Sequence, residues 1–373
     1  VTVAIAALSS SGCRQIFGLE PPTVATGDAG SDALGGGADG DGAAILQYRK
    51  PITIQSSKVG ENLSGFPVWI DVTDAELTSH ARSDGSDIYF TDDIGTALPY
   101  EIQSWAGGHL LAWVLVPTLS VSANTTLYLR YGDAAAPAGP SPRLVFVSAY
   151  RAVWHLDDAL TSTTIVDSVG SYAGTATALS TTNRVSGQLG SGIHFDGSGT
   201  SRIAFMSPLL GNNTHTISAW VTQESTTHIS TVLELGSGAT DQARFLETVG
   251  YTTPNVSVGC FADDLNNTQN IQGSGWRFVA WVYEGGTKRS HVYIDGAEVL
   301  NQVMTGTPNT VGTVGYLGYA EEPVFGGSTG MVGTLDEVRI ANSALSAGWI
   351  ATEFANQSSP GTFYTVGAEE PAP

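Results

Sequence analysis

Positive charge is scarce in this chain: 15 Lys and Arg stand against 35 Asp and Glu, a formal net charge of −20. So acidic a protein repels phosphate backbones, which excludes nucleic acid as a partner. The same charge suits exposure to divalent cations. Cysteine is rarer still. Cys13 and Cys260 lie in unlike contexts, which argues against a disulfide framework, and Cys260 in "VSVGCFAD" reads as a small buried hydrophobe. The His residues are scattered without zinc-ligand spacing, and no Gly-rich phosphate loop ending in Lys is present. Glycine is what abounds, at 45 residues. Short apolar runs between Gly, Asp and Pro turns point to all-β structure. A length of 373 residues, 42% of them hydrophobic, supports a sizeable core and two domains.

"VTVAIAALSSSGC" is too short to span a bilayer and reads, over residues 1–12, as the remnant of a secretory signal. It resembles a bacterial lipoprotein signal, which implies that Cys13 is the lipidated first residue of the mature chain. Ser10 stands where such signals usually carry Leu, and a general secretory signal with an incidental Cys13 is the alternative. Residues 13–44 are rich in Gly, Ala and Asp and cannot bury enough surface to offset their ordering entropy, so they read as a disordered tether.

Residues 45–133 alternate with period two. "GFPVWIDVT" sets Phe66, Val68, Ile70 and Val72 against Pro67, Trp69 and Asp71, and "TTLYLRYGD" sets Leu127, Leu129 and Tyr131 against Tyr128 and Arg130. "HLLAWVLVP" is apolar on both faces and reads as a central strand. Several such strands predict a β-sandwich. "FPVWIDV", "DGSDIYFTDDIGTALPYEIQSW" and "AWVLVPTLSVSANTTLYLRYGD", in that order, resemble the bacterial domain-of-unknown-function family 2341. That resemblance implies a secreted or envelope protein, often with a lectin-like neighbour, and brings no catalytic residues. A Pro-rich linker, 134–144, follows.

The segment 145–368 is again a series of short strands, with a five-residue tail (369–373) behind it. "WRFVAWVYEGGTKRSHVYIDG" predicts a hairpin turning at Glu284 to Lys288. Ser346 predicts the cap of one helix carrying Trp349, Ile350, Glu353 and Phe354, stopped near Pro360, after which "TFYTVG" returns as a strand. The landmarks "WHLDD", "DSVGSYAG", "GSGIHFDGSG", "TISAWV", "VYIDG" and "LDEVRIANSALSAGWIATEF" resemble the laminin-G-like branch of the concanavalin A-like lectin/glucanase superfamily. The resemblance implies a jelly-roll sandwich whose early and late strands are neighbours. It also implies a structural calcium ion where they meet, with Asp157, Asp336 and Asp167 as candidate ligands. A turn carboxylate bonded to backbone amides is the alternative for Asp336. Regular alternation would send Asp336 and Glu337 to opposite faces, with Glu337 toward solvent or Arg339.

Glucanases of this superfamily carry Glu-x-Asp-x-x-Glu on one strand, and no such run appears here. "GGSTG" at Gly326–Gly330 fits Gly-x-Ser-x-Gly only formally, since it lies in a Gly-rich loop rather than between a strand and a helix. Most Trp residues fall in apolar strand runs and read as core. The candidate ligand-binding residues are therefore in loops: Tyr251, Asp263, Asp264, Asn266, Tyr319 and Phe325. The expectation is a non-enzymatic, two-sandwich protein of the bacterial envelope, either an outer-membrane lipoprotein or extracellular. It would bind a glycan or a cell-surface protein and touch the membrane only through a lipid anchor. A structural spacer or self-associating subunit is the second reading, and an enzyme acting on polysaccharide the third.

Overall fold

The alternation in "GFPVWIDVT" becomes the strand Leu63–Thr73, with Phe66, Val68, Ile70 and Val72 all buried. Its other face is buried too at Pro67 and Trp69, so both faces of this strand are covered. The computed structural model describes residues 47–133, 139–261, 263–321 and 330–372. Cys13, the tether to residue 44, Phe325 and most of "GGSTG" lie outside the described residues.

Four antiparallel sheets make up the described chain. The first orders Tyr364–Val366, Tyr48–Ile54, Thr125–Tyr131 and Tyr89–Thr91, with Glu370–Pro371 also paired to Tyr48–Ile54. The second is three-stranded: Leu63–Thr73, His109–Leu119, Tyr100–Ala106. "HLLAWVLVP" is its central strand, as its two apolar faces require. The third, eight-stranded, runs Arg184–Ser186, Ser191–Asp196, Val332–Ala341, His215–Gln223, Arg277–Glu284, Arg289–Ile294, Ala297–Val303, and Ala152–Trp154 pairs with Val332–Ala341. The fourth, also eight-stranded, runs Asp264–Asn266, Ser257–Gly259, Ala243–Val249, Ser230–Gly236, Val314–Leu317, Arg202–Met206, Gly174–Thr177, Thr164–Ile165.

Two cores follow from these layers. Trp154, Ile217, Trp281, Leu233, Leu246 and Leu317 fill the space between the third and fourth sheets. A second cluster joins the first two sheets to the opposite face of the third, taking in Trp69, Trp113, Trp220, Phe278, Trp349 and Ile350. This explains why His215–Gln223 and Arg277–Glu284 are buried on both faces: one face packs into each core. The hairpin is as expected, with Glu284 opposite Arg289. The helix Ala347–Ser358 is capped by the Ser346 hydroxyl, which accepts the Trp349 N–H at 3.1 Å.

The chain's end departs from the sequence reading. "TFYTVG" was expected inside the second sandwich, yet Tyr364–Val366 pairs with Tyr48–Ile54 in the first sheet. Asn356 explains how the helix is drawn there. Its Oδ1 accepts the Trp69 N–H at 2.7 Å and its Nδ2 donates to the Trp69 carbonyl at 3.0 Å, which completes a backbone left open on the strand Leu63–Thr73. The expected linker, 134–144, is described only from residue 139 and ends in a helix, Pro142–Phe146, whose Val145 and Phe146 are core residues. The described residues of both sandwiches belong to one compact unit.

Candidate functional site

The seam between the second and third sheets holds a connected network of buried charge. On the strand Val332–Ala341, Leu335 and Val338 point into the inner core. Asp336 lies opposite Trp220, but Arg339 lies opposite Ser218, so the strand carries an extra residue at a β-bulge. Glu337 occupies the bulge at φ 51. The expectation that Asp336 and Glu337 point to opposite faces therefore fails: the bulge turns both toward the seam, where both are fully buried.

Glu337 accepts from Arg339 Nη2 at 2.8 Å and from His155 Nδ1 at 2.6 Å, as the Arg339 alternative anticipated, but away from solvent. His155 reaches across the seam to Glu101 of the second sheet at 3.3 Å, and Ser168 donates to the same Glu101. Arg339 also donates to Glu353 of the C-terminal helix at 3.0 Å and lies 4.4 Å over the Trp113 ring. Tyr150 donates to Glu353 and accepts from Trp349 Nε1. Burial alone would strip His155 of its proton, but Glu337 and Glu101 outweigh it and hold its pKa well above the ordinary value. Burial pushes Glu337 up, and His155 and Arg339 overcome that to hold it low. Asp336 keeps no such partner: burial, then the Glu337 charge, pushes it well up. Its Oδ2 accepts the Leu189 N–H at 2.8 Å, while its Oδ1 is enclosed without a hydrogen bond among the described residues. The turn over it needs Gly187, where a Cβ would stand 2.6 Å from Asp336 Oδ2.

Asp167 has a different occupation. Its two oxygens accept the N–H groups of Val153, Val169, Ser171 and Tyr172. With its lone pairs spent on this turn, it does not fit as a calcium ligand. Asp157 is half-buried, raised by burial and steadied by His155. Among the described residues, Asp157, Asp167 and Asp336 do not form a metal-binding cluster of three or more such side chains.

The loop candidates spread over both ends of the fourth sheet. Ser230 pairs with Val249 and Leu233 with Leu317, so Tyr251 and Tyr319 follow strands that end on the same side. Asp263 lies at the other end, tied to the Thr305 hydroxyl and the Gly306 N–H as a turn carboxylate. Asp264 and Asn266 sit on the edge strand, and Asn266 accepts from Thr253.

What the sequence reading missed lies between these ends. In the fourth sheet Leu233, Leu246 and Leu317 face the inner core, so Glu234, Glu247 and Tyr316 lie on the opposite face, where Tyr316 is half-buried and the two carboxylates are buried. Tyr316 is directly opposite Glu234, and Glu247 is diagonal to it on the next strand. The Arg202 guanidinium lies 5.9 Å and 5.2 Å over the Tyr316 and Tyr319 rings, which meet edge to face at 5.3 Å. Glu234 also accepts the Glu321 N–H. The available signal was a carboxylate within each of two buried strands, "STVLELG" and "ARFLETV", on the face away from the inner core.

Comparison with known proteins agrees with this architecture. Residues 196–351 match the family described as the concanavalin A-like lectin/glucanases superfamily, laminin G type, and residues 84–164 match the domain of unknown function DUF2341. No curated protein matches the sequence. Among solved structures, domain 4 of AbnA, a GH43 extracellular arabinanase from Geobacillus stearothermophilus in complex with arabinotriose, is similar. It has 20% identity and a TM-score of 0.45, over 56% of this chain and 98% of that one. The binding domain of Paraclostridial Mosquitocidal Protein 1 is similar at 13% identity and TM-score 0.43, covering 55% of this chain and 51% of that one. The carbohydrate-binding module CBM40 of Ruminococcus gnavus IT-sialidase, bound to alpha2,3 sialyllactose, is similar at 17% identity and TM-score 0.33, over 38% and 83%. The chain thus joins a segment that matches the DUF2341 family to one that matches the laminin G type of the concanavalin A-like lectin/glucanases superfamily.

Proposed function

We propose that the laminin-G-like domain binds a glycan, free or on a cell-surface protein, on the outward face of its fourth sheet, and does not cleave it. The observation that supports this reading is the Tyr316–Tyr319–Arg202 cluster beside Glu234. Aromatic faces pack against the C–H face of a sugar, while guanidinium and carboxylate groups pair with its hydroxyls. A hydroxyl buried without such a partner costs about 1–3 kcal/mol. In this reading the protein works outside the bacterial cell, held to a membrane by a lipid on Cys13. Clustering there raises the avidity of a weak single site without new contacts.

A panel of polysaccharides, presented to multivalently displayed protein, tests the assignment. Tyr316→Ala and Arg202→Ala should each abolish capture of whichever glycan the wild type retains. Undiminished capture by both variants would remove this face from consideration.

Glu234 and Glu247, which share one face of the fourth sheet and are both buried, raise a second reading. Carboxyl groups about 5–10 Å apart on one face are the equipment of glycoside hydrolases. Reducing-end release lost in Glu234→Gln would replace the binding reading with hydrolysis. Neither capture nor release, together with ordered self-assembly, would leave a structural spacer.

A further inference from the structure

We infer that the cleft along the seam of the two sandwiches is a second binding site, for a single neutral sugar residue or a polyol of that size. It lies on a different layer from the outward face of the fourth sheet and does not rest on that reading. Gln103, His109 and Leu111 of the second sheet form one wall, and Asp157, Arg184 and Ser191 of the laminin-G-like side form the other. The volume is about 360 Å³, within the range of about 300–1,000 Å³ usual for small-ligand pockets.

The wall atoms present hydrogen-bonding capacity that the protein does not use. Gln103 Oε1 accepts from Trp113 Nε1 at 3.2 Å, which fixes the amide and turns Nε2 toward the Asp157 carboxyl. That Nε2 is buried, and its contact with the Asp157 carboxyl falls short of a well-formed hydrogen bond. Arg184 donates through Nε to the Asp157 carbonyl at 3.1 Å, which holds the guanidinium at the lip and leaves its Nη atoms for a ligand. His109 is fixed by Asp71 at 2.8 Å, and Leu111 supplies an apolar wall. Gly190 lines the cleft at φ 74, a backbone conformation that favours glycine, and a Cβ there would make ordinary contact with Gln103 Nε2 and Leu111 Cδ1 at 3.6 Å.

Charge selects the ligand class. Arg184 and Asp157, side by side on one wall, carry opposite charges, and the whole chain carries −20, so a polyanion gains nothing by approaching. A sugar hydroxyl suits the lining better, because it donates to the carboxylate and accepts from the amide and guanidinium at once. A sugar's C–H face also fits against Leu111.

Saturation-transfer NMR on the full chain with glucose, galactose, mannose, arabinose and N-acetylglucosamine, and glucuronate as the anionic control, tests this. At least one neutral sugar should bind. Arg184→Met, a change at an exposed position, should weaken that binding by about tenfold or more. Gln103→Met should do the same where its melting temperature matches the wild type. Tyr316→Ala should leave it unchanged, which separates this site from the outward face. Binding by none of the neutral sugars, by glucuronate alone, or equally by wild type and Arg184→Met would overturn the proposal.

Discussion

Glu337 and Arg339 form an ion pair at 2.8 Å, both fully buried and two residues apart on one strand. They face the same side, as residues two apart on a strand do, and the bulge at Glu337 brings the adjacent Asp336 to that side as well. From that side Glu337 also holds His155, and His155 holds Glu101 on the second sheet. The two family segments are therefore joined through charge as well as through the Trp220, Phe278 and Trp349 core.

Replacing Glu337 with Gln leaves His155 and Arg339 short of a counter-charge where water cannot compensate. Breaking a buried pair in this way costs about 3–5 kcal/mol. Urea unfolding of Glu337→Gln should show that loss, in a transition that includes both sandwiches. A change below about 1 kcal/mol would mean the pair is dispensable.

The same network sets a pH window. His155 is raised above its ordinary 6.5, so its stabilisation is complete below that value and is lost as pH rises through its folded pKa. Glu337 is lowered from 4.5, so its contribution is present above that value and is lost as pH falls through its folded pKa. Asp336 is raised, so its share also declines as pH rises above its ordinary 3.8. Stability should peak in weakly acidic solution and decline on the alkaline side. His155→Gln should flatten the alkaline decline in a series of melting curves. An identical slope in the variant would assign the decline to other groups.

Asn356 spans the N–H and carbonyl of Trp69 from within the C-terminal helix. Asn356→Ala leaves both backbone groups buried and unpaired, at about 1–3 kcal/mol for each. Chemical denaturation should register a loss of about 2–6 kcal/mol. A near-neutral outcome would show that the strand finds other partners.

Calcium binding through Asp157 and Asp336 is a proposal with a specific pH signature. Burial favours the protonated form of both carboxyls, so the ion must displace protons to bind. A calcium-dependent rise in melting temperature should be larger at pH 8 than at pH 6 and absent in Asp336→Asn. Equal melting temperatures in calcium and in chelator would remove the ion from the description.

The strands themselves were legible from local pattern. Period-two alternation is a property of neighbouring residues, so Phe66 to Val72, Leu127 to Tyr131 and the Trp281 hairpin could be read directly, as could the Ser346 cap. The two family resemblances came from the same local landmarks. Three things needed the tertiary structure, each because it depends on residues far apart in the chain. The bulge at Glu337 appears only in the register against His215–Gln223, and it reverses which face one carboxylate takes. Tyr364–Val366 could belong to any open sheet edge by pattern alone, and the helix anchored on Trp69 chose the edge at Tyr48–Ile54. Arg202, Glu234 and Tyr316 come from three separate strands, and only sheet order sets them side by side on one face.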